Sequence, residues 1–228
     1  MGYSRFAMPE QTLVRTGEER ATLVRRTYSL VLTSVVVTIG GVWFALNNQS
    51  ILEASAAHPF IMMILTFAPL MLAQSTRLAT PQRLALVLMF TAIDGVFIAP
   101  MIYYYDKMQP GVVGQAGALT LSAFTVLTAY AWFSRRDFSA WGGFLTVGLW
   151  VMLGTMLLNM FFHNETASLW LAAVGVMLMS GLLLFDTWRI RNTFGPDDYV
   201  PAAITIYLDL LNMFLFVLSL LGGGRRRG

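Results

Sequence analysis

Apolar residues run along this chain in blocks close to 20 long, set apart by short polar stretches. At about 1.5 Å per residue, a helix of about 20 residues spans the roughly 30 Å of hydrocarbon in a bilayer. The blocks lack the polar stripe that a helix needs to face water on one side. They predict seven membrane-spanning helices, over Thr27–Leu46, Pro59–Ser75, Leu84–Tyr105, Val112–Phe133, Ala140–Phe162, Ser168–Ile190 and Pro201–Leu221. Turn chemistry marks the gaps: Asn47-Asn48-Gln49-Ser50, Thr80-Pro81, Gln109-Pro110-Gly111, Arg135-Arg136-Asp137, His163-Asn164-Glu165 and Gly195-Pro196-Asp197-Asp198. Pro69 falls inside the second and shortest span, where neighbouring helices can satisfy the backbone groups a kink frees.

Composition agrees. Of the 228 residues 57% are hydrophobic and 12% charged, against about a quarter charged in soluble domains. The absence of cysteine excludes disulfides, thiolate metal sites and cysteine nucleophiles. The net charge of +3 does not point to nucleic acid, because the arginines stand at helix ends, where they set membrane orientation. Residues 1–26 hold five arginines and three glutamates and no apolar run, so no signal peptide is read there. The expected organisation is an amino-terminal tail over 1–26, a membrane domain over 27–221 and a Gly/Arg tail over 222–228.

Arg5, Arg15, Arg20, Arg25 and Arg26 in the tail, and Arg77, Arg83, Arg135, Arg136, Arg189 and Arg191 in alternate connections, fall on one side, against Lys107 on the other. That asymmetry makes the amino terminus cytoplasmic. Arg225, Arg226 and Arg227 then lie on the outer side, against the same rule. Small residues that allow close helix approach occur at Gly142, Gly143, Gly148, Gly154, Gly175 and Gly181, and packing is their plain reading.

Three acidic residues sit at membrane depth: Asp94, Asp186 and Asp209. An intramembrane carboxylate costs on the order of 3 kcal/mol even on the lenient insertion scale, so each should face the bundle interior, paired or protonated. Thr205, Asp209, Asn212 and Ser219 share one face of the last span, which should be buried. Asp186 lies 23 residues before Asp209, across a short connection. At about 1.5 Å per residue the two differ in depth by about 6 Å, a gap that tilt or a longer sixth helix has to close. Two carboxyls meeting in a dry site cannot both ionise cheaply and titrate as one unit. Such a pair suits proton sensing or hard-cation binding, or ties helices together by hydrogen bonds. Asp94 has Thr91 one turn before it as a local partner. Thr155, Asn159 and His163 also share a helix face, with His163 at the solvated end.

The polar helix ends carry a likeness. Ala68-Pro69-Leu70, Arg135-Arg136-Asp137-Phe138-Ser139 with Gly143-Phe144-Leu145, Phe185-Asp186-Thr187-Trp188-Arg189-Ile190, and Ile206-Tyr207-Leu208-Asp209-Leu210-Leu211-Asn212-Met213-Phe214 resemble the Bax inhibitor-1 family (transmembrane Bax-inhibitor-motif proteins), in particular its bacterial branch. The resemblance covers about Glu18 to Leu221. It implies an all-α membrane fold of seven helices, the last one central and wrapped by the other six. It implies a pH-sensitive calcium leak in which Asp186 and Asp209 share a proton, with Arg77 as a latch, and a place in the bacterial inner membrane. Calcium would be a permeant or regulatory ion; no organic cofactor is expected. Two departures are visible: the second span has no acidic residue, and Asp94 has no expected counterpart.

The alternative is an accessory subunit that regulates a larger membrane complex, a protease or quality-control machine or an energy-transducing assembly, without transport. An intramembrane aspartyl protease fits poorly, since Leu183-Leu184-Phe185 and Ile206-Tyr207-Leu208 stand where a Gly-x-Gly-Asp signature would precede each aspartate. Ser180 and His163 have no reason to meet as a hydrolytic pair. The expectation is a non-enzymatic protein whose partners are the bilayer and a membrane complex.

Overall fold

The structure, a computed structural model, describes residues 17–74, 78–162 and 164–224. Arg77, His163 and Arg225 to Arg227, and the tail up to residue 16, lie outside the described residues. Among the described residues eight helices follow in order: α1 (Gly17–Leu46), α2 (Gln49–Ala57), α3 (Pro59–Ala73), α4 (Thr80–Met108), α5 (Val112–Phe133), α6 (Trp141–Phe162), α7 (Glu165–Asn192) and α8 (Tyr199–Gly224). Among the described residues no strand occurs.

Local chemistry sets the boundaries. Pro59 opens α3 and Pro81 lies in the first turn of α4, positions where a missing N–H costs nothing. The Gln82 side chain accepts from the Ala79 N–H at 3.0 Å at the start of α4. Gly111 takes a left-handed φ of 85° between α4 and α5, a conformation glycine adopts without a Cβ clash. Asn164 caps α7, its Oδ1 accepting from the Ala167 N–H at 3.1 Å, and Arg189 and Arg191 in the last turn complement the helix dipole.

Several expectations shift. Residues 17–26, read as tail, form the first turns of α1, and α8 runs on through Gly222 to Gly224. The stretch before Pro59, read as a loop, contains α2, and the chain bends by 97° between α2 and α3. Among the described residues six helices are long and apolar enough to cross a membrane, and the bent pair makes a seventh if it counts as one span. The protein is an integral membrane protein.

Contacts at the helix ends fix relative directions. Arg26, in α1, lies over the Tyr199 ring at the start of α8, 5.6 Å from its centroid. Gln109, just past α4, donates from Nε2 to the Gly222 carbonyl at the end of α8 at 2.8 Å. Thus α1, α4 and α8 run the same way. At the opposite ends of α5 and α7, Arg191 donates to the carbonyls of Trp132 and Ser134 at 2.8 Å each, which caps α5. The last helix packs on α1, α4, α5 and α7, while α6 packs on α7 and α3 on α4. The expectation of six helices around the last one is corrected to four, because the short α3 and the outer α6 are held by their neighbours.

Candidate functional site

The α7–α8 seam carries the first acidic pair. Asp186 lies in the last two turns of α7, and its Oδ1 accepts from Arg189 Nη1 at 2.8 Å, one turn on. The Arg189 guanidinium lies over two rings, 4.8 Å from the Phe194 centroid and 5.6 Å from that of Phe185. Its side chain is 35% exposed while that of Asp186 is 8% exposed, so the arginine reaches from the interface to a buried acid.

Asp209 is buried in α8, and its carboxyl meets that of Asp186 within hydrogen-bonding reach. A bond between two carboxyl groups requires one proton between them. Two carboxyls, one shared proton and the Arg189 guanidinium sum to zero charge, which suits a site with low dielectric around it. Asp209 Oδ2 has no hydrogen-bond partner among the described residues.

The other residues of the predicted stripe do not join the pair. Thr205 donates its hydroxyl to the Ala202 carbonyl at 3.0 Å, and Asn212 its Nδ2 to the Leu208 carbonyl at 2.8 Å. Ser219 lines a separate cavity near the far end of α8. Of the other predicted constellation, Thr155 bonds its own helix at Val151 and Asn159 donates to Ser168 Oγ at 2.7 Å.

Asp94 belongs to a second buried network. Thr91 is not its partner, since that hydroxyl donates to the Leu88 carbonyl at 3.1 Å. Instead the Tyr207 hydroxyl donates to Asp94 Oδ2 at 2.7 Å, and Thr38 Oγ1 lies 2.8 Å from the same phenol oxygen. The Thr38 hydroxyl also reaches the Ser34 and Thr91 carbonyls at 2.9 and 3.1 Å. Phe90 packs edge-on against Tyr207 at 5.6 Å. The network therefore ties α1, α4 and α8 at one depth. Tyr207 precedes Asp209 by two residues, which on a helix sends the two side chains to opposite neighbours. Sequence reading missed Tyr207 and Thr38, although a phenol in a lipid-depth helix needs a partner.

Tyr207→Phe leaves the Asp94 carboxyl without its donor at no gain in space. It is expected to cost about 1–3 kcal/mol of stability, read as a lowered thermal midpoint of the detergent-solubilised protein. An unchanged midpoint would show that Asp94 finds another partner.

Among the described residues no three His, Cys, Asp or Glu side chains converge on a metal-sized space. Calcium takes 6–8 oxygens in a resident site; two carboxyls, one of them bound to Arg189, do not supply that. The seam thus defines a polytopic helical membrane protein with a buried acid pair braced by an arginine.

The family model described as "Inhibitor of apoptosis-promoting Bax1" matches residues 20–226, and the chain belongs to this Bax inhibitor/lifeguard family. It is 31% identical over 205 residues to mouse protein lifeguard 4, covering 89% of this chain and 85% of the mouse protein. An uncharacterized membrane protein of Vibrio cholerae is 30% identical over 223 residues, covering 96% and 95%. Bax inhibitor 1 of Schizosaccharomyces pombe is 27% identical over 213 residues, covering 89% and 77%.

Proposed function

We propose that the protein is a pH-responsive cation leak, with calcium as the permeant ion, in which Asp186 and Asp209 hold and release a proton and Arg189 braces the closed state. The observation that carries this is the contact of two buried carboxyls with one oxygen, Asp209 Oδ2, left without a partner. Oxygens in that state serve a proton or replace part of a hard cation's hydration shell as it passes. Acid protonates Asp186 and removes the charge that Arg189 binds, so the brace lets go. Arg77, the latch that the resemblance implies, would act on the same carboxyl from the connection after α3. The protein on this view moves an ion and turns over no chemical bond.

The seven-crossing topology, with the amino terminus in the cytoplasm of a bacterium and the bundle in its inner membrane, goes with this proposal. Because α1 and α4 run the same way, the chain has to return between Leu46 and Thr80, where α2 and α3 lie. The arginine asymmetry orients the bundle. The test is calcium flux into liposomes holding the purified protein. Flux is expected to rise as pH falls from about 8 to about 5, with the two carboxyls titrating as one unit. A flat profile, or flux equal to that of empty liposomes, would remove this function.

A second reading, an accessory subunit of a larger membrane complex, is favoured by α6. That helix packs on α7 alone, and Gly143, Val147, Trp150 and Gly154 lie at spacings of four, three and four on one face. Val147 and Trp150 are exposed, and nothing stands within 4 Å of a Cβ at either glycine. Small residues on such a face admit a partner helix closely. A stoichiometric partner that copurifies and is lost in Gly143→Leu would favour this reading.

A further inference from the structure

Where α1 leaves the bundle at its arginine-rich end, it and the start of α8 enclose a cleft of about 720 Å³. Thr22, Arg25, Arg26, Ser29, Thr33 and Tyr199 line it. From this cleft the structure assigns a binding site for the phosphodiester headgroup of an anionic phospholipid, with the acyl chains laid along the exposed face of α1.

Both guanidiniums are available. Arg25 and Arg26 are exposed, and among the described residues neither forms an ion pair. Arg26 is positioned by the Tyr199 ring beneath it, which leaves its edge N–H groups free for an anion. The carboxylates nearest in sequence are turned elsewhere or stand outside: Asp198 Oδ2 accepts from the Gly195 N–H at 2.7 Å, and Glu18 and Glu19, one turn before Thr22, do not line the cleft. Two adjacent arginines offer the forked donors that a phosphate accepts.

The lipid character comes from what continues below. Arg25, Ser29, Leu32, Val36, Ile39 and Trp43 follow at spacings of four, three, four, three and four, which places them on one face of α1. All six are exposed. Leu32, Val36, Ile39 and Trp43 are 66%, 59%, 62% and 67% exposed. One stripe thus changes from cationic, through the hydroxyls of Ser29 and Thr33, to aliphatic. At about 1.5 Å per residue, Arg25 to Trp43 covers about 27 Å. A free phosphate would use only the first turn of this stripe; a phospholipid, about half the 40–45 Å thickness of a bilayer, uses it from Arg25 to about Ile39. Tyr199 on the cleft wall separates this site from a general band of interfacial arginines, because it fixes one guanidinium in place.

The test is lipid binding by the intact protein in detergent, read as bound-lipid peaks in native mass spectrometry and as the thermal midpoint. Phosphatidylglycerol is expected to bind and to raise the midpoint, while phosphatidylcholine and inorganic phosphate do neither. Arg25→Gln with Arg26→Gln should weaken phosphatidylglycerol binding about thirtyfold, from about a fivefold loss per arginine near the surface. Arg135→Gln with Arg136→Gln, on the same side of the membrane, should leave it within about twofold. Equal binding of both lipids, full effect from inorganic phosphate, or equal losses in the two double variants would each overturn the site. Should the first double variant not fold, Arg25→Gln alone, at an exposed position, should still weaken binding about fivefold.

Discussion

On the proposed function, Asp209→Asn should lower calcium flux into liposomes at least about tenfold at every pH tested, a loss of about 1.4 kcal/mol in barrier terms. Asparagine keeps the side-chain volume, so the packing of α8 against α7 is retained. Its amide can still donate to Asp186, which preserves the contact in the seam. What disappears is the negative charge that a passing cation meets and the proton that the two carboxyls share. Asp186→Asn differs in kind. It leaves Asp209 as an acceptor but removes the partner of Arg189, so flux persists and its pH response flattens. Arg189→Gln should raise flux at neutral pH, because the brace is missing before any acid is added. An Asp209→Asn protein that conducts like the unaltered one would end the assignment of the pair to the ion path. The same result with a copurifying subunit would turn attention to the open face of α6.

The order and placement of the long apolar helices could be read from the sequence because hydrocarbon thickness dictates block length. Six of the predicted spans coincide with single long helices that differ from them only at their ends. The second, Pro59–Ser75, falls on the short α3, which is long enough to count as a span only together with α2, across the 97° bend at His58. The acids at Asp186 and Asp209 stood out for the same reason as the helices: a carboxylate in a lipid-length block has no cheap environment. Their partner was harder to read. Arg189 looked like one more orienting charge at a helix end, and only the fold reveals that it turns inward to Asp186 while Arg191, two residues on, turns to the carbonyls of α5. Asp94 pointed to a local partner, Thr91, but its donor lies 113 residues away on α8, a distance that no local spacing encodes. The glycines divide similarly. Gly142, Gly175 and Gly181 face Phe185, Phe216 and Leu145 as close-packing residues should, whereas Gly143 and Gly154 meet nothing.

Two glycines that hydropathy reading passed over bring the backbones of α1 and α4 against each other. A Cβ placed on Gly95 would strike the carbonyl oxygen of Thr38, and one on Gly41 the carbonyl oxygen of Ala92. Both obstacles are backbone, so no side-chain rotation relieves them, and α1 and α4 have to move apart. Gly95→Ala should therefore cost about 3 kcal/mol, the upper part of the range for overpacking. The expected gain in helix propensity, up to about 1 kcal/mol, is outweighed. Reversible unfolding of the protein in mixed micelles measures it. Gly143→Ala and Gly154→Ala, where a Cβ enters open space, should change stability by less than about 0.5 kcal/mol or raise it slightly. The cost at Gly95 has a specific destination. Pushing α1 away from α4 draws Thr38 off the Tyr207 hydroxyl and loosens the bond from that phenol to Asp94. Gly95→Ala and Tyr207→Phe should then fall short of additivity by about 1 kcal/mol, as changes within one network do. Full additivity would show that the close helix contact and the buried acid network are independent, and that Asp94 keeps its donor when the seam opens.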